Sequence, residues 1–100
     1  MIYITQLVYV KEGKENVFQQ FENIAIPAIQ KYNGRLLLRV RPKPENYIQS
    51  NIQEPYEIHI VEFHTEQDFK NFSLDPERKK FLYLKEESVK SVLVIKGEKL

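Results

Sequence analysis

One long apolar stripe near the N-terminus constrains this chain more than any other feature. Val17, Phe18, Phe21, Ile24, Ala25, Ala28, Ile29 and Tyr32 follow one another at the spacing of a single helix face. A helix with one apolar face must bury it against another layer. Pro27 falls inside the stripe and removes a backbone donor, which predicts a kink between Asn23 and Pro27. Asn33 and Gly34 then offer the left-handed residues that commonly end a helix.

Strand patterns surround this helix. Ile2–Val10 is rich in β-branched and aromatic residues, and Arg35–Arg41 alternates behind Gly34. Alternation puts Leu36, Leu38 and Val40 on one face, and Arg35, Leu37, Arg39 and Arg41 on the other. Pro42–Glu54 is polar, carries two prolines and is long for a connection inside a compact domain. Pro55–Phe63 reads as a third strand. Thr65 with Asp68 forms a helix-capping pair ahead of Phe69 and Phe72. Asp75-Pro76 restarts a helix, with Asp75 as N-cap, and this piece carries Phe81, Leu82 and Leu84 to about Ser88. Val89–Lys96 is the last strand.

The order strand, helix, strand, strand, helix, strand predicts an α+β fold of the ferredoxin-like βαββαβ type. Right-handed crossovers place both helical segments on one face of a four-stranded antiparallel sheet. A length of 100 residues suits one domain over residues 1–100.

Such a sheet leaves one face to water, so its strands should alternate apolar and polar. These do not. The first strand sets Ile2, Ile4, Val8 and Val10 against Tyr3, Leu7 and Tyr9, and the last sets Val92 and Val94 against Val89, Leu93 and Ile95. An apolar open face marks an association site, and a homodimer paired through that face is the economical solution.

Composition narrows the chemistry. With no cysteine there is no disulfide framework, thiolate metal site or cysteine nucleophile, and a reducing compartment is suited. A net charge of +1 supplies no general attraction to nucleic acid or to an anionic membrane. The N-terminus enters a strand directly, without the pattern of a signal peptide, and no apolar run is long enough to span a bilayer. A cytoplasmic protein without a cofactor is the resulting expectation.

Lys31-Tyr32-Asn33-Gly34-Arg35 leading into Leu36-Leu37-Leu38-Arg39 resembles the tyrosine–glycine–glycine–arginine turn and arginine-bearing strand of a domain-of-unknown-function family. That family belongs to the dimeric α/β-barrel superfamily, whose members include antibiotic-biosynthesis-type monooxygenases. Val61-Glu62-Phe63 before Thr65 is similar to its third-strand signature. Asp75-Pro76-Glu77 and Leu93-Val94-Ile95-Lys96-Gly97 are similar to its C-terminal half. Asn33 replaces the first turn glycine, a change that left-handed geometry tolerates. The chain has no tryptophan, whereas the heme-degrading and quinone-forming relatives use tryptophan with asparagine and histidine. The resemblance therefore implies a fold and a dimer, and leaves the reaction open.

Arg39 and Glu62 fall on neighbouring strands and match family positions. On one face they would pair beside an otherwise apolar cleft, Arg39 anchoring an oxyanion and Glu62 accepting a proton. The same pair equally describes a salt bridge at a sheet end or dimer seam. His59 is a third candidate for proton transfer. His59 and His64 stand on opposite faces of one strand, and no third ligand shows a sensible spacing, so no metal site is expected. Arg35, Arg39, Arg41 and Lys43 form a basic row that suits an edge strand. Tyr3 and Tyr9, with Arg41, are candidate ligand-binding side chains, and core or dimer packing explains such tyrosines as well. Two functions stay open: a cofactor-free enzyme, monooxygenase- or isomerase-like, acting on a small enolisable or aromatic compound, or a non-catalytic ligand-binding or interaction module.

Overall fold

The apolar stripe folds as α1 (Glu15–Ala28), preceded by β1 (Ile2–Val10). The remaining elements of the computed structural model, which describes residues 1–100, are β2 (Gly34–Val40), β3 (Glu57–Phe63), α2 (Glu66–Ser73), α3 (Pro76–Lys80), α4 (Leu82–Ser88) and β4 (Val89–Gly97). The four strands form an antiparallel sheet in the order β2-β3-β1-β4. This is the βαββαβ ferredoxin-like arrangement expected from the order of patterns.

Local chemistry accounts for most boundaries. The α-helix runs unbroken through Pro27, and the chain tightens into a 3₁₀ turn only from Ile29 to Tyr32. Asn33 ends that turn in the left-handed region, at φ 57°. Gly34 is needed for a different reason: a Cβ there would lie 2.6 Å from Cε1 of Phe63 and 2.7 Å from Cγ2 of Ile29. Its missing side chain lets β2 pass over the core. The Thr65 hydroxyl accepts from the Asp68 amide at 3.1 Å, and the Asp75 carboxylate accepts from the Arg78 amide at 2.9 Å, capping α2 and α3. Tyr32 donates to Asp75 at 2.7 Å, tying the end of the first helical segment to the start of α3. Pro42–Glu54 contains only the short 3₁₀ turn Pro44–Asn46.

β2 departs from simple alternation. Leu36 pairs with Val61, but Leu38 pairs with Ile60, so Leu37 is an extra residue in the strand. A bulge of this kind resets which face the following side chains occupy. Leu38 and Val40 lie opposite Ile60 and Ile58 on the face away from the helices. Arg39 lies opposite His59 on the helix side. The expected grouping of Leu36 with Leu38 and Val40 is corrected accordingly.

The helix-facing side of the sheet buries Ile4 and Val8 of β1, and Glu57, His59, Val61 and Phe63 of β3. Ile4, Ile29, Val61 and Phe63 form one apolar cluster, and Phe21, Ala25 and Leu84 form a second between α1 and α4. Each large side chain so buried contributes about 2–3 kcal/mol. The opposite face keeps an apolar surface: Leu93 is 48% exposed and Ile95 52%.

Candidate functional site

Between the two apolar clusters lies a cavity of about 110 Å³. Fifteen of its twenty lining residues are hydrophobic; the others are Gln6, Glu22, His59, Arg78 and Lys85. Its sheet wall includes Val92 and Val94, and Val94 is 48% exposed, so the cavity reaches the surface along β4. An apolar pocket with a few converging polar groups is the usual form of a small-molecule site.

Behind one wall stands a charged network that joins β2, β3 and α1. Glu57 is fully buried, and its two oxygens take Arg41 Nε at 2.8 Å and Arg39 Nε at 3.2 Å. Gln19 of α1 accepts from both guanidiniums, at 3.0 Å from Arg39 and 2.5 Å from Arg41. Nε2 of His59 is in close contact with the Arg39-bound oxygen of Glu57. Burial would push the Glu57 carboxyl up, but the bonds from His59, Arg41 and Arg39 outweigh it and lower its pKa to about 2. Glu57 is therefore a fixed anion.

Glu22 approaches the same histidine from α1. Its Oε1 is 3.8 Å from His59 Nε2, beyond hydrogen-bond range. The residue is 5% exposed and its carboxyl group makes no hydrogen bond. Burial raises its pKa to about 7, with Glu57 adding to the rise and the charges of His59, Arg39 and Arg41 opposing it. One helix thus presents a carboxyl group that takes up or releases a proton near neutrality.

Of the six side chains singled out from sequence, only His59 lines the cavity. Arg39 and Arg41 stand behind it, on Glu57. Glu62 pairs with Arg35 at 3.0 Å, opposite it across β2 and β3, so the expected Arg39–Glu62 pair does not form. Arg39 lies four residues along β2 from Arg35, opposite His59, and the Leu37 bulge turns it to the other face. Tyr3 lies opposite Glu62 on the face away from the cavity, and the Tyr9 hydroxyl donates to the Gln53 carbonyl at 2.8 Å. Glu22 and Glu57 were missed. The signal for Glu22 was an acid inside the apolar stripe, four residues after Phe18; for Glu57, it was alternation with His59, Val61 and Phe63.

Glu22, Glu57 and His59 do bring three ligand atoms within 4.8 Å of one another, a gathering that the sequence did not disclose. The donor set nevertheless suits a proton better than a metal ion. Both Glu57 oxygens already serve two arginines, and a cation there would have to compete with them.

Comparison with solved structures agrees with this architecture. A protein of unknown function from Rhodopseudomonas palustris superposes with a TM-score of 0.81 at 13% identity, covering 99% of this chain and 82% of that one. A DABB family protein with a ferredoxin-like fold from Mesorhizobium loti gives 0.71 at 15% identity, covering 99% and 96%. A dimeric ferredoxin-like protein of unknown function from Jannaschia sp. CCS1 gives 0.71 at 15% identity, covering 97% of each chain. These likenesses establish the fold. No protein-family model matches the sequence, and no curated relative matches it. No helix is long and apolar enough to cross a membrane.

Proposed function

We propose that this chain is a cofactor-free, isomerase-like enzyme that moves a proton on a small enolisable compound bound in the cavity between sheet and helices. The observation that carries this reading is Glu22: a buried carboxyl group, free of hydrogen bonds, lining an apolar cavity beside His59 and titrating near pH 7. As a carboxylate it takes a proton from a carbon next to a carbonyl, leaving an enolate, and it returns that proton to the same or a neighbouring carbon. A pKa near the working pH suits both directions of transfer. His59, held by Glu57, borders the carboxyl and steadies its charge. Arg39 and Arg41 act through Glu57 as positioning residues.

The same reading includes a homodimer joined through the open sheet face, with residues 1–100 acting as one dimeric α/β-barrel domain. The exposed Leu38, Val40, Leu93 and Ile95 of that face support it. Kinship with the domain-of-unknown-function family and its monooxygenase relatives is also part of the proposal, supported by the order of motifs.

Exchange of α-hydrogens into deuterium oxide, followed by NMR over a panel of small ketones and keto acids, tests the reaction. Catalysed exchange should be seen with the wild-type protein and be lost in Glu22→Gln. Exchange that survives this substitution would assign the chemistry elsewhere.

A further inference from the structure

The cavity has a second polar wall, formed by α3 and α4. Arg78 and Lys85 line it together, seven residues apart across the break at Phe81. Arg78 lies over two rings, its guanidinium carbon 5.7 Å from the centre of Phe21 and 5.4 Å from that of Phe72. Nη1 donates to the Ser73 carbonyl at 3.2 Å, the one hydrogen bond of this guanidinium. The Lys85 carbonyl accepts from the Val89 amide, but its ammonium makes no hydrogen bond. Neither cation forms an ion pair, although Lys14, Arg35, Arg39, Arg41 and Lys96 all do so elsewhere in the protein.

Two part-buried cations without a counter-ion are costly beside an apolar space. Burial lowers the pKa of both, and the charge of Arg78 lowers that of Lys85 further, so the two repel. Glu22 faces them both, Asp75 faces Arg78 and Glu86 faces Lys85, without closing to an ion pair. An anion placed between them would remove the repulsion and accept charge-assisted hydrogen bonds from a preoriented guanidinium.

We propose that the ligand of this cavity is a small organic carboxylate, its anionic group held by Arg78 and Lys85 and its apolar body against the cavity walls. This rests on the proton-transfer reading of the same cavity and adds the substrate class: an enolisable acid of a few carbons, with its reactive carbon toward Glu22. The carboxylate stays at the cationic wall while the proton moves at the acidic one.

Acetoacetate and its neutral counterpart acetoacetamide separate the two ideas. Binding is measured by NMR titration of backbone amides, and reaction by deuterium exchange at the central methylene. Wild-type protein should bind acetoacetate at least about tenfold more tightly than the amide. Lys85→Met should erase most of that preference and leave amide binding unchanged, and Arg78→Met should do the same in folded protein. Lys79→Met, on the solvent side of α3, should keep it. Glu22→Gln should keep the preference and lose the exchange. Equal affinity for both probes, a preference surviving both cation substitutions, or binding of neither probe at millimolar concentration would overturn the carboxylate assignment. Tight acetoacetate binding without exchange would overturn proton transfer and leave the assignment standing.

Discussion

Nε of Arg39 lies 3.2 Å from Oε2 of Glu57, the oxygen that also contacts His59, while the other oxygen takes Arg41. One buried anion thereby joins the edge strand β2, the inner strand β3 and, through Gln19, the helix α1. The relationship sets both the stability of this end of the sheet and the orientation of the histidine at the cavity wall.

Glu57→Gln should accordingly be among the more damaging single substitutions. Removing one member of a buried ion pair leaves its partners' charges uncompensated, typically at about 3–5 kcal/mol. Here Arg39 is 28% and Arg41 45% exposed, so water screens part of that loss. A destabilisation of about 2–3 kcal/mol is expected, measured by urea denaturation of the variant against wild type.

The two acids should act on stability in opposite directions of pH. Glu57 is depressed from 4.5 to about 2, so its contribution is present above pH 4.5 and is lost as pH falls toward 2. Glu22 is raised from 4.5 to about 7, so the folded state holds the extra proton between these values. Stability therefore falls as pH rises through that interval, by up to about 3 kcal/mol from this group alone. Denaturation curves at pH 5 and pH 8 should differ less for Glu22→Gln than for wild type. A parallel shift of both proteins would contradict the assignment.

Gly34→Ala tests the close passage of β2 over the core. The added methyl meets Phe63 and Ile29, both nearly fully buried, and one of them must move. Overpacking of this kind costs about 1–3 kcal/mol. A lowered thermal midpoint with an unchanged far-ultraviolet circular dichroism spectrum is the expected result.

The open sheet face should carry the dimer. Leu93 and Ile95 project from β4 opposite Leu7 and Thr5 of β1, on the side away from the helices. Light scattering should give twice the chain mass for wild type and the chain mass for the double variant Leu93→Lys, Ile95→Lys. A wild-type monomer at micromolar concentration would sink the dimer.

Element order and helix starts were legible residue by residue. Thr65 with Asp68, and Asp75 with Pro76, act within one helical turn, so their effect depends little on the rest of the chain. The stripe from Val17 to Tyr32 likewise demanded a helix against a sheet. Periodicity failed at Leu37, because whether a strand absorbs an extra residue is decided by the partner it pairs with. That single residue put Arg39 on the helix side, while the register gave Glu62 to Arg35.

The candidate site was much less legible, because its members come from separate elements. Glu22 and His59 stand 37 positions apart in the chain and 3.8 Å apart in space. Arg78 and Lys85 reach one cavity wall only through the break at Phe81 and the packing of α3 and α4 on α1. Short-range pattern was enough to specify which segments become helices and strands, since hydrogen bonding and caps are local. Which charges meet, and which are buried without a partner, follows from how the layers close on one another, and that is a long-range property.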